Sequence, residues 1–137
     1  MTSFVLDASV VSAWLLNEEA RMQAQPALVR MQSGKALVPQ LWHLETRNCL
    51  LVAVRRGRLT GDRLAERLDV LRDIPLRTDS GLDYESAFRL AEKHELSIYD
   101  AVYLELAKRH VVPIATLDKS LSRAADRENL SLVCRLN

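Results

Sequence analysis

The sequence predicts an α/β protein, a three-layer helix–sheet–helix sandwich around a central parallel sheet of four to five strands. Short apolar runs alternate with helical patterns along the whole chain. Strands that are separated by helices pair in parallel through right-handed crossovers, and these cover the sheet with helices. The 137 residues are 48% hydrophobic and 27% charged, an ordinary globular composition without repeats or a dividing linker. We therefore expect one domain over residues 1–137.

The first half of the chain begins with a predicted strand from Ser3 to Leu6, an apolar run that ends at Asp7. Apolar residues then recur at helical spacing, so a helix follows directly. The pattern next predicts a helix over Glu18–Gln32, bent or restarted near Pro26, and a strand over Ala36–Val38. The helices that follow are predicted over Leu41–Arg56, which Gly57 ends, and over Thr60–Leu71.

The second half of the chain continues the alternation of strands and helices. The predicted strands are Pro75–Thr78, Val111–Ala115 and Leu130–Val133, and the predicted helices are Leu82–His94, Ser97–His110 and Lys119–Arg127. Tyr99 and Tyr103 lie one turn apart in this half, and we interpret both as core residues with hydrogen-bonded hydroxyls. No part of this pattern departs from an α/β fold.

Composition also bears on the cellular location of the protein. No apolar run approaches the roughly 20 residues that span a bilayer, and the N-terminus lacks the features of a secretion signal. Cys49 and Cys134 lie in apolar segments without a partner motif, as buried thiols do in a reducing cytosol. We therefore expect a cytoplasmic protein. The net charge of +1 neither requires nor excludes a nucleic-acid partner.

In parallel α/β sheets, binding sites lie outside the carboxyl ends of strands where the strand order reverses. Asp7 ends the first predicted strand, and Thr116 and Asp118 follow the Val111–Ala115 strand. Asp100 begins the helix that leads into that strand and could lean over the same end. If the two strands are neighbours, these side chains face one crevice.

Each of these aspartates also has an ordinary structural interpretation. Asp7 and Asp118 occupy positions where an aspartate caps the following helix, and Ser97 with Asp100 has the spacing of a capping box. Glu45 is different, because it lies within a largely apolar helix where a solvated face is not assured. A buried carboxylate of that kind needs a cation or a hydrogen-bond partner.

Taken together, the four carboxylates indicate a metal site. Carboxylates that converge repel one another and raise their own pKa values unless a divalent cation binds between them. Oxygen-only ligation suits Mg²⁺ or Mn²⁺, and the three histidines, His43, His94 and His110, have no zinc-like spacing. An acidic magnesium cluster most often acts on phosphate esters by activating water.

The chain resembles PIN-domain ribonucleases, specifically the VapC-type toxins of bacterial toxin–antitoxin pairs. The resemblance covers nearly the whole chain in the order of the family. It is carried by Phe4-Val-Leu-Asp7-Ala-Ser9, Glu45-Thr-Arg-Asn48-Cys-Leu50, Tyr99-Asp100-Ala-Val-Tyr103-Leu-Glu-Leu-Ala107 and Thr116-Leu-Asp118-Lys-Ser-Leu121. It implies a PIN-like fold and hydrolysis of RNA phosphodiesters by metal-activated water.

The resemblance also implies roles for individual residues. The acidic quartet of the family falls on Asp7, Glu45, Asp100 and Asp118, with Ser9 and Thr116 as hydroxyl neighbours. Asp7 and Asp100 would be the principal ligands of Mg²⁺, Asp118 a peripheral or second-metal ligand, and Glu45 a group that orients water. Ser120 stands where some relatives carry a further acid, which leaves one or two metal ions open. A VapB-like antitoxin that blocks the crevice and a homodimer are implied as partners.

Other interpretations stay open beside this one. A domain of the same fold could bind RNA or protein without cleaving it. A haloacid-dehalogenase-type phosphatase could use Asp7 as its nucleophile, but only residues 117–137 remain for its later motifs. Lys119 and Arg123 follow Asp118 and could hold RNA phosphates, or they could be solvated residues of an exposed helix face.

Overall fold

The computed structural model describes residues 2–16 and 19–136, in which strands and helices alternate. The strands are β1 (Phe4–Leu6), β2 (Ala36–Pro39), β3 (Leu76–Asp79) and β4 (Ile114–Ala115). The helices are α1 (Ala8–Leu15), α2 (Arg21–Met31), α3 (Gln40–Arg55), α4 (Gly61–Asp73), α5 (Tyr84–His94), α6 (Ile98–His110) and α7 (Lys119–Arg127). No helix in the described ranges is both long and apolar enough to cross a membrane.

The strands form a parallel sheet in the order β3-β2-β1-β4. Val5 of β1 pairs with Leu37 of β2 on one side and with Ile114 of β4 on the other. The chain moves outward from β1 to β3 and then returns past β1 to β4, so the strand order reverses between β1 and β4. This parallel α/β sandwich confirms the predicted fold class.

The connections from β1 to β3 run along the sheet in one direction, and the connection from β3 to β4 runs in the other. Because crossovers between parallel strands are right-handed, the helices of these two parts lie on opposite faces of the sheet. On one face α3 contacts β2, and α1 and α4 pack against α3. On the other face α6 contacts β1, β2 and β4, and α5 and α7 pack against α6. All residues of β1 are fully buried, as is nearly all of the segment Ala101–Ala107 of α6. The carboxyl end of β1 therefore lies at the centre of the molecule.

The predicted fifth strand, Leu130–Val133, is wrong. Among the described residues the segment makes one isolated parallel bridge, between Leu132 and Ile114. Its partner β4 is itself only two residues long, shorter than the predicted Val111–Ala115. Val111 follows α6 in the left-handed region with φ of 54°, so β4 begins late. Ile114 meets the segment through its N–H, which donates to the carbonyl of Ser131, and through its carbonyl, which accepts from the N–H of Val133.

Of the two alternatives predicted near Pro26, a bend or a restart of the second helix, the restart is wrong, because Pro26 lies inside α2. The predicted start of that helix at Glu18 lies outside the described residues. Elsewhere the predicted boundaries differ by one or two residues, since capping residues stand outside the helices. Thr60, Asp83 and Ser97 each accept a hydrogen bond from a backbone N–H in the first turn of α4, α5 and α6.

Candidate metal and active site

Asp7 stands at the carboxyl end of β1, where the strand order reverses. Its backbone N–H donates to the carbonyl of Ala115 at 2.9 Å, which fixes it beside the end of β4. Asp7 is buried, with only 5% of the residue exposed to solvent. Asp7 occupies the N-cap position of α1, yet its carboxylate accepts no backbone hydrogen bond from the helix. Helix capping therefore does not explain this carboxylate.

Two hydroxyl groups hold one oxygen of Asp7. Ser9 Oγ and Thr116 Oγ1 each donate to Asp7 Oδ2 at 2.7 Å. Backbone N–H groups donate to both hydroxyls, from Leu117 to Ser9 at 2.9 Å and from Asp118 to Thr116 at 3.0 Å. Because the amides occupy hydroxyl lone pairs, the hydroxyl protons are directed at Asp7. Its other oxygen, Oδ1, accepts no hydrogen bond from the described residues.

Asp118 and Asp100 are half-buried and belong to the first turns of different helices. Asp118 Oδ1 accepts from the backbone N–H of Leu121 at 2.8 Å, so the capping interpretation is confirmed for Asp118. Ser97 Oγ accepts the backbone N–H of Asp100 at 3.1 Å, which is the serine half of the predicted capping box. A side-chain hydrogen bond with Ser97 also lowers the pKa of Asp100, against the effect of burial. The side chain of Asp100 therefore projects from the first turn of α6 beside the capping serine.

Glu45 reaches the site from the middle of α3. Its Oε1 accepts a hydrogen bond of 2.5 Å from the hydroxyl of Tyr103, a fully buried residue of α6. The predicted buried, hydrogen-bonded hydroxyl is thus confirmed for Tyr103, whereas Tyr99 is 60% exposed and that prediction is wrong. Sequence analysis missed that Tyr103 belongs to the site. Its position three residues after Asp100, on the same helix face, was the available signal.

The electrostatics of the site link all the acids. Burial raises the pKa of Asp7 to about 6, and the charges of Asp100 and Glu45 contribute smaller increases. The hydrogen bonds from its two hydroxyl partners lower the pKa and offset part of this shift. Burial is also the main cause that raises the pKa of Glu45 and the pKa of Asp100. The charge of Asp100 adds to the shift of Glu45, and the charge of Asp118 adds to that of Asp100. Mutual repulsion thus runs through the whole quartet.

A cation would relieve this repulsion, and the donor chemistry fits a hard divalent ion. None of the ion pairs between described residues includes any of the four carboxylates. Within residues 2–16 and 19–136, however, no three His, Cys, Asp or Glu side chains stand close enough to form a ready-made metal cage. Mg²⁺ keeps several of its own waters and is often held by one or two carboxylates plus substrate phosphates. The arrangement suits that open mode, with Asp7 and Asp100 as the residues that could hold the ion.

Lys119 and Arg123 lie beside the acids rather than among them. Both are exposed residues of α7, and both line a cleft of about 840 Å³ between α7 and the segment 129–136. None of the four carboxylates lines this cleft. Lys119 nevertheless follows Asp118 directly in the chain, so the backbone connects one lining residue of the cleft to the acidic site.

Known proteins share both this sequence and this fold. The PIN domain family matches residues 4–127. The ribonuclease VapC3 of Pyrobaculum aerophilum is 34% identical over 121 residues, which are 86% of this chain and 91% of the relative. The match with the PIN domain family therefore extends from β1 to α7 and includes every predicted site residue.

Three solved structures have a similar fold at low sequence identity. PAE2754 from Pyrobaculum aerophilum has a TM-score of 0.65 at 19% identity and covers 90% of this chain and 84% of its own. FitAcB from Neisseria gonorrhoeae has a TM-score of 0.65 at 17% identity, with 94% and 95% covered. The Sarcin-Ricin loop cleaving toxin VapC20 of Mycobacterium tuberculosis has a TM-score of 0.60 at 16% identity, with 89% and 95% covered.

Proposed function

Since the chain belongs to the PIN-domain family, with a VapC ribonuclease as a relative over most of its length, we propose that it is a metal-dependent endoribonuclease toxin. It hydrolyses RNA phosphodiesters and leaves 5′-phosphate and 3′-hydroxyl ends. The observation that carries this proposal is the environment of Asp7, a buried carboxylate at the reversal of the strand order that has no cationic partner among the described residues. Perturbed acids of this kind, grouped in one place, are typical of functional sites.

The carboxylates divide the work between metal binding and water positioning. Asp7 and Asp100 would hold the main Mg²⁺ or Mn²⁺, and Asp118 would act at the periphery or at a second ion. The ion supplies a more acidic water and neutralises charge on the phosphate. Ser9 and Thr116 fix Oδ2 of Asp7, and this fixed geometry presents Oδ1 to the ion. The ordinary capping bond of Asp118 is compatible with its peripheral role.

Glu45 would accept a hydrogen bond from the attacking water and orient it. The hydroxyl of Tyr103 occupies Oε1 of Glu45, so the other carboxylate oxygen is the one that faces a ligand. This hydrogen bond also works against the effect of burial on the pKa of Glu45, and therefore helps to keep the carboxylate ionised. Tyr103 is thus a positioning residue that acts through Glu45.

The wider biology is part of the same proposal. We assign to the protein a VapB-like antitoxin that blocks the crevice, a homodimeric state, a cytoplasmic location and a single nuclease domain over residues 1–137. Apolar side chains that a partner could cover are exposed on the early helices, among them Met22 and Val29 on α2 and Leu44 on α3. Cys49 and Cys134 are free thiols, which suits a reducing compartment; Cys134 is buried as predicted, whereas Cys49 is only partly buried.

Expression in a bacterial host tests the activity. The wild-type protein should arrest growth and yield RNA fragments with new 5′-phosphate ends, which end sequencing identifies. Asp7→Asn should do neither, because an amide offers the metal no anionic oxygen. Asp73→Asn, which removes an exposed carboxylate at the end of α4, is the matched control and should behave as the wild type. Equal growth of all three, with soluble expression confirmed, would favour a non-catalytic binding domain.

A further inference from the structure

The cleft beside α7 is a distinct surface feature, which we call the α7 cleft. It is lined on one side by Lys119, Ser122, Arg123 and Asp126, and on the other by the segment 129–136, including Arg135 and Leu132. Its volume of about 840 Å³ is large enough for a nucleotide-sized group. The charged residues that line it are three basic and one acidic, so the cleft is positively charged.

The basic side chains of the α7 cleft are not committed to ion pairs. In the part of the chain that the structure describes, no salt bridge includes Lys119, Arg123 or Arg135. Lys93 and Lys108, by comparison, both contact Glu128. The α7 cleft therefore holds cations that are available to a ligand.

Ser122 provides an independent observation. The residue is only 7% exposed and lines the α7 cleft, and its Oγ is buried without a hydrogen-bond partner among the described residues. A buried hydroxyl without a partner destabilises a protein, so such groups usually have an acceptor. An acceptor that enters the cleft would satisfy Ser122 once the side chain, whose Oγ is closed to solvent in this conformation, turns toward the cleft.

We propose that the α7 cleft binds a phosphate of the RNA backbone, at a nucleotide away from the bond that is cleaved. This inference rests on the proposed function, and it extends the proposed RNA-binding site beyond the four acids. Arginine guanidinium groups bind phosphate oxygens in pairs, and the Ser122 hydroxyl donates a further hydrogen bond. Lys119 follows Asp118, so a strand leaving the acids passes into the cleft. The leucines that line the cleft, Leu130, Leu132 and Leu136, provide an apolar wall for a base or sugar.

Fluorescence anisotropy of a labelled 15-nucleotide single-stranded RNA tests the proposal. The full-length Asp7→Asn protein in EDTA is the background, so that the RNA stays intact. Arg123→Gln and Arg135→Gln should each weaken binding about two- to fivefold, as expected for an exposed charged contact. Each should also lower the slope of log K against log salt concentration by about 0.7. Arg127→Gln removes the same charge from α7 outside the cleft, and should change neither quantity.

Ser122→Ala separates a binding role from a structural one. It removes the unpartnered hydroxyl, so the Tm of the free protein should rise by about 2–4 °C while RNA binding weakens. A structural role would move both in the same direction, and a lower Tm with unchanged RNA binding would overturn the assignment of Ser122. Equal effects of Arg123→Gln and Arg127→Gln would overturn the cleft itself.

Competition distinguishes RNA from an acidic protein segment. Unlabelled RNA should displace the labelled RNA at concentrations where a 15-residue polyglutamate does not. Equal displacement by polyglutamate would overturn the RNA assignment in favour of an acidic peptide. If wild-type protein cleaves no RNA with Mg²⁺ but shows binding that depends on Arg123, the proposed catalytic function fails and the cleft assignment stands.

Discussion

Replacing Asp7 by Asn should stabilise the metal-free protein at neutral pH. The fold raises the pKa of Asp7 from 3.8 to about 6, mainly because the carboxylate is buried. Well below pH 3.8 the carboxyl is protonated in both the folded and the unfolded protein, so it carries no penalty there. As the pH rises towards 6 the unfolded chain releases its proton first, and the fold loses stability. Above pH 6 the full penalty is present, and Asn removes it.

The size of the effect follows from the shift. A change of about two pKa units corresponds to about 3 kcal/mol at about 1.4 kcal/mol per unit. The amide oxygen of Asn can still accept from Ser9 and Thr116, so the hydroxyl contacts need not be lost. We expect Asp7→Asn to be about 2–3 kcal/mol more stable than the wild type at pH 7.5. For a protein of this size the gain in Tm is on the order of 5–10 °C.

Urea unfolding in EDTA, followed by circular dichroism from pH 4 to pH 8, measures this difference. The gain from Asp7→Asn should be small at pH 4, close to the pKa of the unfolded chain, and should grow to nearly its full value by pH 6.5. Asp118→Ala is the contrasting variant, since it removes a helix cap and should cost about 1 kcal/mol. If Asp7→Asn is less stable than the wild type by a constant amount at every pH, the desolvation argument for Asp7 is refuted.

Other variants test the rest of the site and one contact outside it. Asp100→Asn should raise the Tm of the metal-free protein, because it removes one of the repelling charges. Millimolar Mg²⁺ should likewise raise the Tm of the wild type, because a bound cation relieves the same repulsion. If neither Tm changes, the acids do not interact. Tyr103→Phe should slow RNA cleavage about 10- to 100-fold. The acidic limb of the pH profile of cleavage should also shift to higher pH, because Glu45 loses the hydrogen bond that lowers the pKa of its carboxyl. An unchanged pH profile would show that Tyr103 does not act on the site. Glu128→Gln should cost about 1–2 kcal/mol at pH 7, because hydrogen bonds from lysines, the largest from Lys108, lower the pKa of Glu128 to about 2. Urea unfolding should show this cost disappearing as the pH falls from about 4.5 towards 2, and a cost that is constant with pH would contradict it.

The position of the site was predictable because it depends on strand ends. Asp7 ends an apolar run that the pattern identifies as a strand, and Asp118 follows another. The rule that sites lie where the strand order reverses then places both acids together. The adjacency of β1 and β4 was assumed at that stage, and the structure supplies it through the pairing of Val5 with Ile114.

The contacts within the site were not predictable, because each joins distant parts of the chain. Thr116 reaches Asp7 across 109 residues, and Tyr103 reaches Glu45 across 58 residues. Local sequence does not say which polar group a buried hydroxyl meets, and it did not separate the buried Tyr103 from the exposed Tyr99. The capping pattern was likewise ambiguous, since Asp7 and Asp118 both occupy N-cap positions and only Asp118 forms the bond.

Local pattern also misjudged the end of the chain. Leu130–Val133 has the composition of a strand, but β4 offers it only a two-residue edge. The left-handed residue Val111 after α6 shortens β4, and it is not visible in hydrophobic periodicity. The same segment instead forms one wall of the α7 cleft.

The central claim is that the acidic quartet holds a divalent ion that RNA cleavage requires. It is tested most directly by the rate of cleavage of a defined RNA over a titration of Mg²⁺, for the wild type, Asp100→Asn and the control Asp73→Asn. The account predicts no cleavage in EDTA, saturable activation in the wild type and the control, and a loss of several orders of magnitude for Asp100→Asn at every Mg²⁺ concentration. Cleavage that persists in EDTA, or that Asp100→Asn leaves unchanged, would contradict it.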